Sequence, residues 1–149
     1  RRPKRKIRNV FYNQENRKKT MPQLILLFNH NLSDDQQISA RQQLGATRFM
    51  SPPPHLQDLW GAIPADEPAL RPLLTPITEW LDQVTESGDL VLIQGDFGAC
   101  YLLVKHALEK HLVPVYATTT RVTKESVQAD GSVRIEHVFR HVCFRKYDQ

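Results

Sequence analysis

The sequence predicts an α/β fold built on a mostly parallel sheet, and three observations predict it. Two apolar runs without alternation, Leu24-Ile25-Leu26-Leu27-Phe28 and Leu90-Val91-Leu92-Ile93, have the character of strands covered on both faces. Segments of helical period lie between strand patterns, the order that builds strand–helix–strand units. The second run ends in Gln94-Gly95-Asp96-Phe97-Gly98-Ala99, enters a helix-patterned stretch, and returns to a strand closing in Thr118-Thr119-Thr120-Arg121. Flanking helices and a C-terminal β-hairpin complete the expected architecture.

The first strand stops at Asn29-His30-Asn31. Ser33 is then placed to cap a helix over residues 34–44: Asp34 and Asp35 match the dipole of its first turn, Gln36 stands at the reach-back position, and Gly45 is the stop. Thr47-Arg48-Phe49-Met50 reads as a short strand ended by Pro52-Pro53-Pro54, which cannot supply ladder donors. A helical turn is expected around Leu56, Leu59 and Trp60, and a loop over residues 64–68. Leu73, Leu74, Ile77, Trp80, Leu81 and Val84 then recur at helical spacing up to Gly88, although Pro72 and Pro76 leave the start of that helix open.

After the second buried strand, Ala99, Leu102, Leu103, His106 and Ala107 form one helix face directed at the sheet. Residues 113–117 make the third strand, with Pro114 at its start or on an edge. Residues 122–128 and 132–146 read as hairpin arms joined by Ala129-Asp130-Gly131. Along the second arm the apolar phase switches from Val133 and Ile135 to Val138, Val142 and Phe144, which predicts a bulge near His137.

With 149 residues the chain has the length of one domain. Its net charge of +4 divides unevenly: residues 1–20 carry nine Lys/Arg against one Glu, and residues 21–149 carry eleven against fifteen. We therefore read residues 1–20 as a basic disordered extension and residues 21–149 as the folded unit. The arm could serve nucleic acid or a membrane surface; the plainer reading is a flexible extension or sequence upstream of a start at Met21. No apolar run approaches the roughly 18 residues that span a bilayer, so a cytoplasmic protein is expected. Cys100 and Cys143 are too few for a disulfide framework and are read as buried free thiols.

The chemistry gathers at three strand ends: Asn29-His30-Asn31, Gln94-Gly95-Asp96-Phe97-Gly98 and Thr118-Thr119-Thr120-Arg121. In open α/β sheets ligands sit at the carboxyl ends of the strands, where helix N-termini and loop amides favour anions. Gly95 and Gly98 would let backbone approach a phosphate, with the amides of residues 97–99 opening a helix N-terminus toward it; the alternative is a tight turn without a ligand. Arg121 has a fork that suits a phosphate oxygen pair, or it pairs with Glu125. His30 is a candidate proton carrier, or a strand-end residue hydrogen-bonded to its loop. Asp96, awkward beside phosphate, would orient a ribose hydroxyl or adenine amino group, or cap the helix. His137 and His141 lie about 13 Å apart on a strand, too far to share an ion, so neither a metal site nor a cofactor is expected.

Four stretches carry a resemblance: residues 22–31 with Phe28-Asn29-His30; Leu92-Ile93-Gln94-Gly95-Asp96-Phe97-Gly98-Ala99; Pro114-Val115-Tyr116-Ala117-Thr118-Thr119; and Val138-Phe139-Arg140-His141-Val142 with Phe144-Arg145. Together they resemble the small CRISPR-associated Csx-series family numbered twenty, over essentially all of residues 21–147. The resemblance implies a Rossmann-like fold related to the CARF domains that sense cyclic oligoadenylates. It also implies a metal-independent, homodimeric ring nuclease that linearises cyclic tetra-adenylate, the second messenger of type III CRISPR systems. It does not bring catalytic residues with it, so roles follow from position: His30, Thr119 and Arg121 as the catalytic set, and Asn29, Asn31, Gln94, Gly95, Asp96, Phe97, Gly98, Thr118 and Thr120 as ligand contacts. Two-fold symmetry would give a four-nucleotide ring equivalent half-sites, with the hairpin residues Val138, Val142 and Phe144 as a candidate interface. Two alternatives stand beside this: a module that binds the messenger without cutting it, and an RNA-binding adaptor that uses the basic arm. Long nucleic acid is not expected as a partner.

Overall fold

The computed structural model describes residues 21–148. The basic extension assigned to residues 1–20 lies outside the described residues. The elements run β1 Gln23–Leu27, α1 Asp34–Leu44, β2 Arg48–Met50, α2 Pro54–Gly61, α3 Leu70–Val84, β3 Leu90–Ile93, α4 Phe97–Glu109, β4 Val113–Val127 and β5 Val133–Lys146. They form a mixed α/β structure around one five-stranded sheet of order β2-β1-β3-β4-β5. β2, β1, β3 and β4 are mutually parallel, and β5 runs antiparallel to β4.

Local chemistry accounts for much of this. Ser33 accepts from the Gln36 amide while the Gln36 side chain accepts from the Ser33 amide, and Gly45 stops α1 at φ 69°. α2 starts directly on Pro54, whose fixed φ and missing N–H suit the first helical position. α3 begins at Leu70, three residues before its apolar stripe, and carries Pro76 internally. The Thr75 hydroxyl bonds the Arg71 carbonyl in the turn that Pro76 cannot complete.

The two sheet faces are covered differently. Ile25, Leu27, Val91 and Ile93 point toward α2, α3 and α4, where Trp60, Leu74, Ile77, Leu81 and Leu103 complete one core. Leu24, Leu90, Leu92, Val115 and Phe144 face α1, which closes the second core with Ala40. The crossover from β1 runs through α1 to β2 on one side, and that from β3 runs through α4 to β4 on the other. The order in which strands are added therefore reverses between β1 and β3, and such a switch point opens a crevice outside the carboxyl ends of the strands.

β4 departs from expectation. Residues 118–121 do not close a strand: β4 continues to Val127, paired with β5 over its whole length past Ala117. A strand ends where it loses its partner, and β5 supplies one. The bulge lies between Ala117 and Thr119, not near His137, and the register from Thr119↔His141 to Val127↔Val133 is unbroken. The switch of apolar phase reflects a ribbon exposed on both faces, where no buried side imposes alternation. Pro114, second in β4, sits between β3 and β5 at the strand's start, where its missing donor is tolerated. Cys100 and Cys143 are half-buried free thiols, less enclosed than expected. Among the described residues no helix is long and apolar enough to cross a membrane.

Candidate functional site

The crevice at the switch point is built on a chain of polar contacts. Trp60, 2% exposed, donates its indole N–H to the Gln94 carbonyl at 3.0 Å. The Gln94 amide donates to the Leu27 carbonyl at 3.0 Å, and its side-chain Oε1 accepts the Ala117 amide at 2.8 Å. One residue thus ties the ends of β1, β3 and β4 together, which is why the turn after β3 holds its place.

The next residues open α4. Asp96 is its N-cap, accepting the Ala99 amide at 2.9 Å. The Ala99 donor is therefore used internally, and the amides of Phe97 and Gly98 are those left for an anion. Asp96 acts as a cap, one of the roles expected of it. Neither Gly95 nor Gly98 has a positive φ. A Cβ on Gly95 would lie 3.1 Å from the Trp60 indole nitrogen, and one on Gly98 would lie 3.0 Å from a Leu70 methyl. Close packing on Trp60 leaves little room for a side chain at Gly95, a reason that residue spacing alone does not reveal. Gly95→Ala is accordingly expected to cost about 1–3 kcal/mol by overpacking, read from the urea midpoint.

Beside this turn lies a cavity of about 480 Å³ lined by Gln94, Gly95, Phe97, Cys100, Tyr101, Val104, Tyr116 and Tyr147. Its wall is mainly aromatic. Tyr147 donates its hydroxyl to the Ile93 carbonyl at 2.5 Å and packs its ring 4.9 Å from that of Tyr116. Phe97, 95% exposed, and Tyr101 stand one helical turn apart at the mouth. Burial pushes the Cys100 thiol up, with the Asp96 charge adding to the effect, so it is no thiolate nucleophile at neutral pH. Of this lining, Gln94, Gly95 and Phe97 were expected from the sequence. Cys100, Tyr101, Val104, Tyr116 and Tyr147 were not, although the Phe97–Tyr101 spacing was a signal for an aromatic helix face.

Burial also pushes the Tyr147 phenol up to about 12 from an ordinary value of 10.0. Because the folded value is raised, the neutral phenol contributes stability that is fully present below pH 10 and is lost as pH rises through about 12. The urea midpoint of the parent should therefore fall more steeply over that window than that of Tyr147→Phe. Absorbance at 295 nm should show one tyrosine titrating late in the parent only.

The remaining predicted residues divide between the two sides of the sheet. Phe28 belongs to the α1 side, and His30 sets its ring edge-on against it at 5.4 Å. Thr119 pairs with His141, whose Nε2 meets the Ser39 hydroxyl of α1 at 2.9 Å, so Thr119 and, two residues on, Arg121 face the α1 side. Thr118 and Thr120 share the opposite parity with Tyr116, on the side of the aromatic cavity. The Thr118 hydroxyl is engaged in the bulge, donating to the Cys143 carbonyl and accepting the Cys143 amide. Asn29, His30, Asn31, Thr119, Thr120 and Arg121 are exposed. Arg121 stands opposite Phe139 and makes no ion pair with Glu125; four residues separate it from Ala117, about 13 Å of strand. No cluster of three or more metal-ligating side chains occurs among the described residues.

The His141–Ser39 contact was not read from the sequence. Burial lowers the pKa of this imidazole against the opposing pull of Asp35. The residue clips the root of the ribbon to α1.

The family described as "Uncharacterized protein MJ1673 family" matches residues 22–145, from the start of β1 into the last residues of β5. This chain belongs to that MJ1673 family. It is 44% identical over 128 residues to "Uncharacterized protein MJ1673" of Methanocaldococcus jannaschii, a match that covers 86% of this chain and 98% of that protein. The family match spans every helix and strand described above except the final residue of β5. No solved structure matches the chain.

Proposed function

We propose that this protein binds a nucleotide at the carboxyl edge of its sheet and acts on cyclic tetra-adenylate as a metal-independent ring nuclease, on a Rossmann-like, CARF-related fold. The observation that carries the reading is the aromatic cavity opening beside the N-terminus of α4, at the carboxyl end of β3 and against β4. Nucleotides need both: a flat apolar slot for the base and backbone donors for the phosphate. The cavity volume falls in the range of small-molecule pockets, and base–aromatic stacking contributes about 1–3 kcal/mol per base.

The arrangement supports a division of labour. A purine enters between Tyr116, Tyr147 and Tyr101, and its phosphate crosses the edge over the Phe97 and Gly98 amides. The ribose and scissile phosphodiester then lie toward the α1 side, where His30, Thr119 and Arg121 stand. Cleavage turns the 2′-hydroxyl in line with its own 3′-phosphodiester: the 2′-oxygen bonds to phosphorus, the bond to the 5′-oxygen breaks, and the 5′-oxygen takes a proton. The products are a 2′,3′-cyclic phosphate and a 5′-hydroxyl. Positioning of this kind is worth up to about 7–11 kcal/mol. Arg121 and Thr119 supply donors for the developing charge, and His30 moves the proton.

The test is incubation of the full chain with labelled cyclic tetra-adenylate in EDTA, followed by chromatography. Linear products ending in 2′,3′-cyclic phosphate support the reading. Retention of the intact ring makes the protein a binding module, and no binding rejects the site. Tyr116→Ala is expected to weaken binding about 5- to 150-fold by calorimetric titration, the equivalent of one lost stacking contact. Unchanged affinity would take the cavity out of the ligand site.

A further inference from the structure

A second cleft, of about 230 Å³, lies between α3 and α4. Its wall is mainly polar and includes no Phe, Tyr or Trp. It is smaller than the roughly 300–1,000 Å³ of pockets for drug-sized ligands, so it offers a base no stacking slot and a nucleotide no room. It shares no lining residue with the aromatic cavity.

The polar groups of this cleft fall into two sets. Arg71 on α3 and Lys105 on α4 are the cations, and neither makes an ion pair among the described residues. The Lys105 ammonium lies 5.9 Å from the Tyr101 ring. Glu109, one turn further along α4, is beyond ion-pair distance of it. The neighbouring Lys110 is engaged by Asp82 at 3.2 Å. Two cations without a counter-charge on adjoining helices favour an anion between them, and a guanidinium suits the paired oxygens of a phosphate. The second set accepts. Asp82 Oδ1 lies 2.7 Å from His106 Nε2, and because a carboxylate can only accept, that nitrogen carries the proton. The neutral ring then presents Nδ1, which has no partner among the described residues, as an acceptor. Thr75 and Thr78 donate their hydroxyl protons to the carbonyls of Arg71 and Thr75, at 3.1 and 3.0 Å, and keep only lone pairs for the cleft.

We propose that this cleft binds a small phosphate monoester that carries free hydroxyls, a polyol phosphate. Its phosphate meets Arg71 and Lys105, and its hydroxyls donate to Thr75, Thr78 and His106 Nδ1. Inorganic phosphate would use the cations and leave the acceptors unmatched, and a neutral polyol would do the reverse. The inference stands on the α3–α4 cleft alone and does not depend on the nucleotide reading.

The experiment is calorimetric titration of the full chain with glycerol 3-phosphate, inorganic phosphate and glycerol, without any nucleotide. An ionic strength of about 0.15 M in chloride confines charge effects to about 8 Å. Glycerol 3-phosphate should bind saturably at one site, inorganic phosphate about tenfold more weakly for want of the hydroxyl contacts, and glycerol not measurably. Arg71→Gln and Lys105→Gln should each weaken the ester about 10- to 100-fold, as expected for a lost hydrogen bond to a charged group. Arg48→Gln removes an exposed cation from β2, at the far edge of the sheet, and should leave the affinity within about twofold of the parent. All three side chains are exposed, and thermal melts will show each variant folded. Failure of the ester to bind, equal affinity for inorganic phosphate, indifference to Arg71→Gln and Lys105→Gln, or an equal effect of Arg48→Gln would each overturn the proposal.

Discussion

Under the proposed ring-nuclease function, His30→Ala is expected to cleave cyclic tetra-adenylate roughly 100- to 10,000-fold more slowly than the parent at nearly unchanged affinity, the usual loss when a positioned proton carrier is removed. The affinity should hold because His30 is exposed at the end of β1 and packs edge-on against Phe28 without supporting either core. Arg121→Ala should behave differently. A guanidinium contacts phosphate in the ground state as well as the transition state, so both binding and cleavage should fall. Single-turnover rates with saturating protein separate the two, and titration calorimetry supplies the affinities. A rate for His30→Ala within a few-fold of the parent, with an unaltered pH profile, would reject the histidine. The mechanism would then rest on in-line positioning and on charge stabilisation by Thr119, Arg121 and the Phe97 and Gly98 amides.

Trp60→Ala is expected to lose about 3–5 kcal/mol of folding stability, the range for emptying a buried large aromatic position. Trp60 is 2% exposed within the core beneath α2, α3 and α4. The substitution also leaves the Gln94 carbonyl without its donor in the part-buried turn. Against the 5–15 kcal/mol typical of a domain this is a large fraction. Trp60→Phe divides the effect, since it keeps most of the volume and loses the hydrogen bond, for about 1–3 kcal/mol. Because Gln94 ties β1, β3 and β4, the phenylalanine variant should also bind nucleotide more weakly while still folded. Urea unfolding measures both variants, and a loss below about 1.5 kcal/mol for Trp60→Ala would show that the indole is not a keystone of the turn.

The parts of the fold that could be read from residue order are those whose causes are local. The unbroken apolar runs of β1 and β3 announce strands covered on both sides. Ser33 and Gln36 announce the start of α1, and Gly45 its end, because a capping box and a left-handed stop involve residues only a few positions apart. The turn over residues 129–131 is likewise local: Gly131 has φ 83°, and Asp130 accepts the Ser132 amide. The length of β4 was not legible. Whether a strand continues past Ala117 depends on a partner some twenty residues further on, and a ribbon wet on both faces leaves no periodic trace in its side chains.

The candidate site shows the same division. Residue order by itself determined that Asn29-His30 and the Gln94–Gly98 turn stand at strand and helix ends, since a run of apolar residues must stop somewhere and polar residues mark where; it left Asp96 open between a ligand contact and a cap, and the bond from the Ala99 amide decided for the cap. Tertiary structure decided which of them meet. It joined Trp60 to Gln94 across 34 positions and His141 to Ser39 across 102. It gathered Tyr101, Tyr116 and Tyr147 from a helix, a strand and the chain end into one cavity. It also gave the glycine at Gly95 its reason, close packing on an indole with no positive φ. Packing between distant segments follows from shape and burial in three dimensions, and nothing in the spacing of residues along the chain encodes it separately.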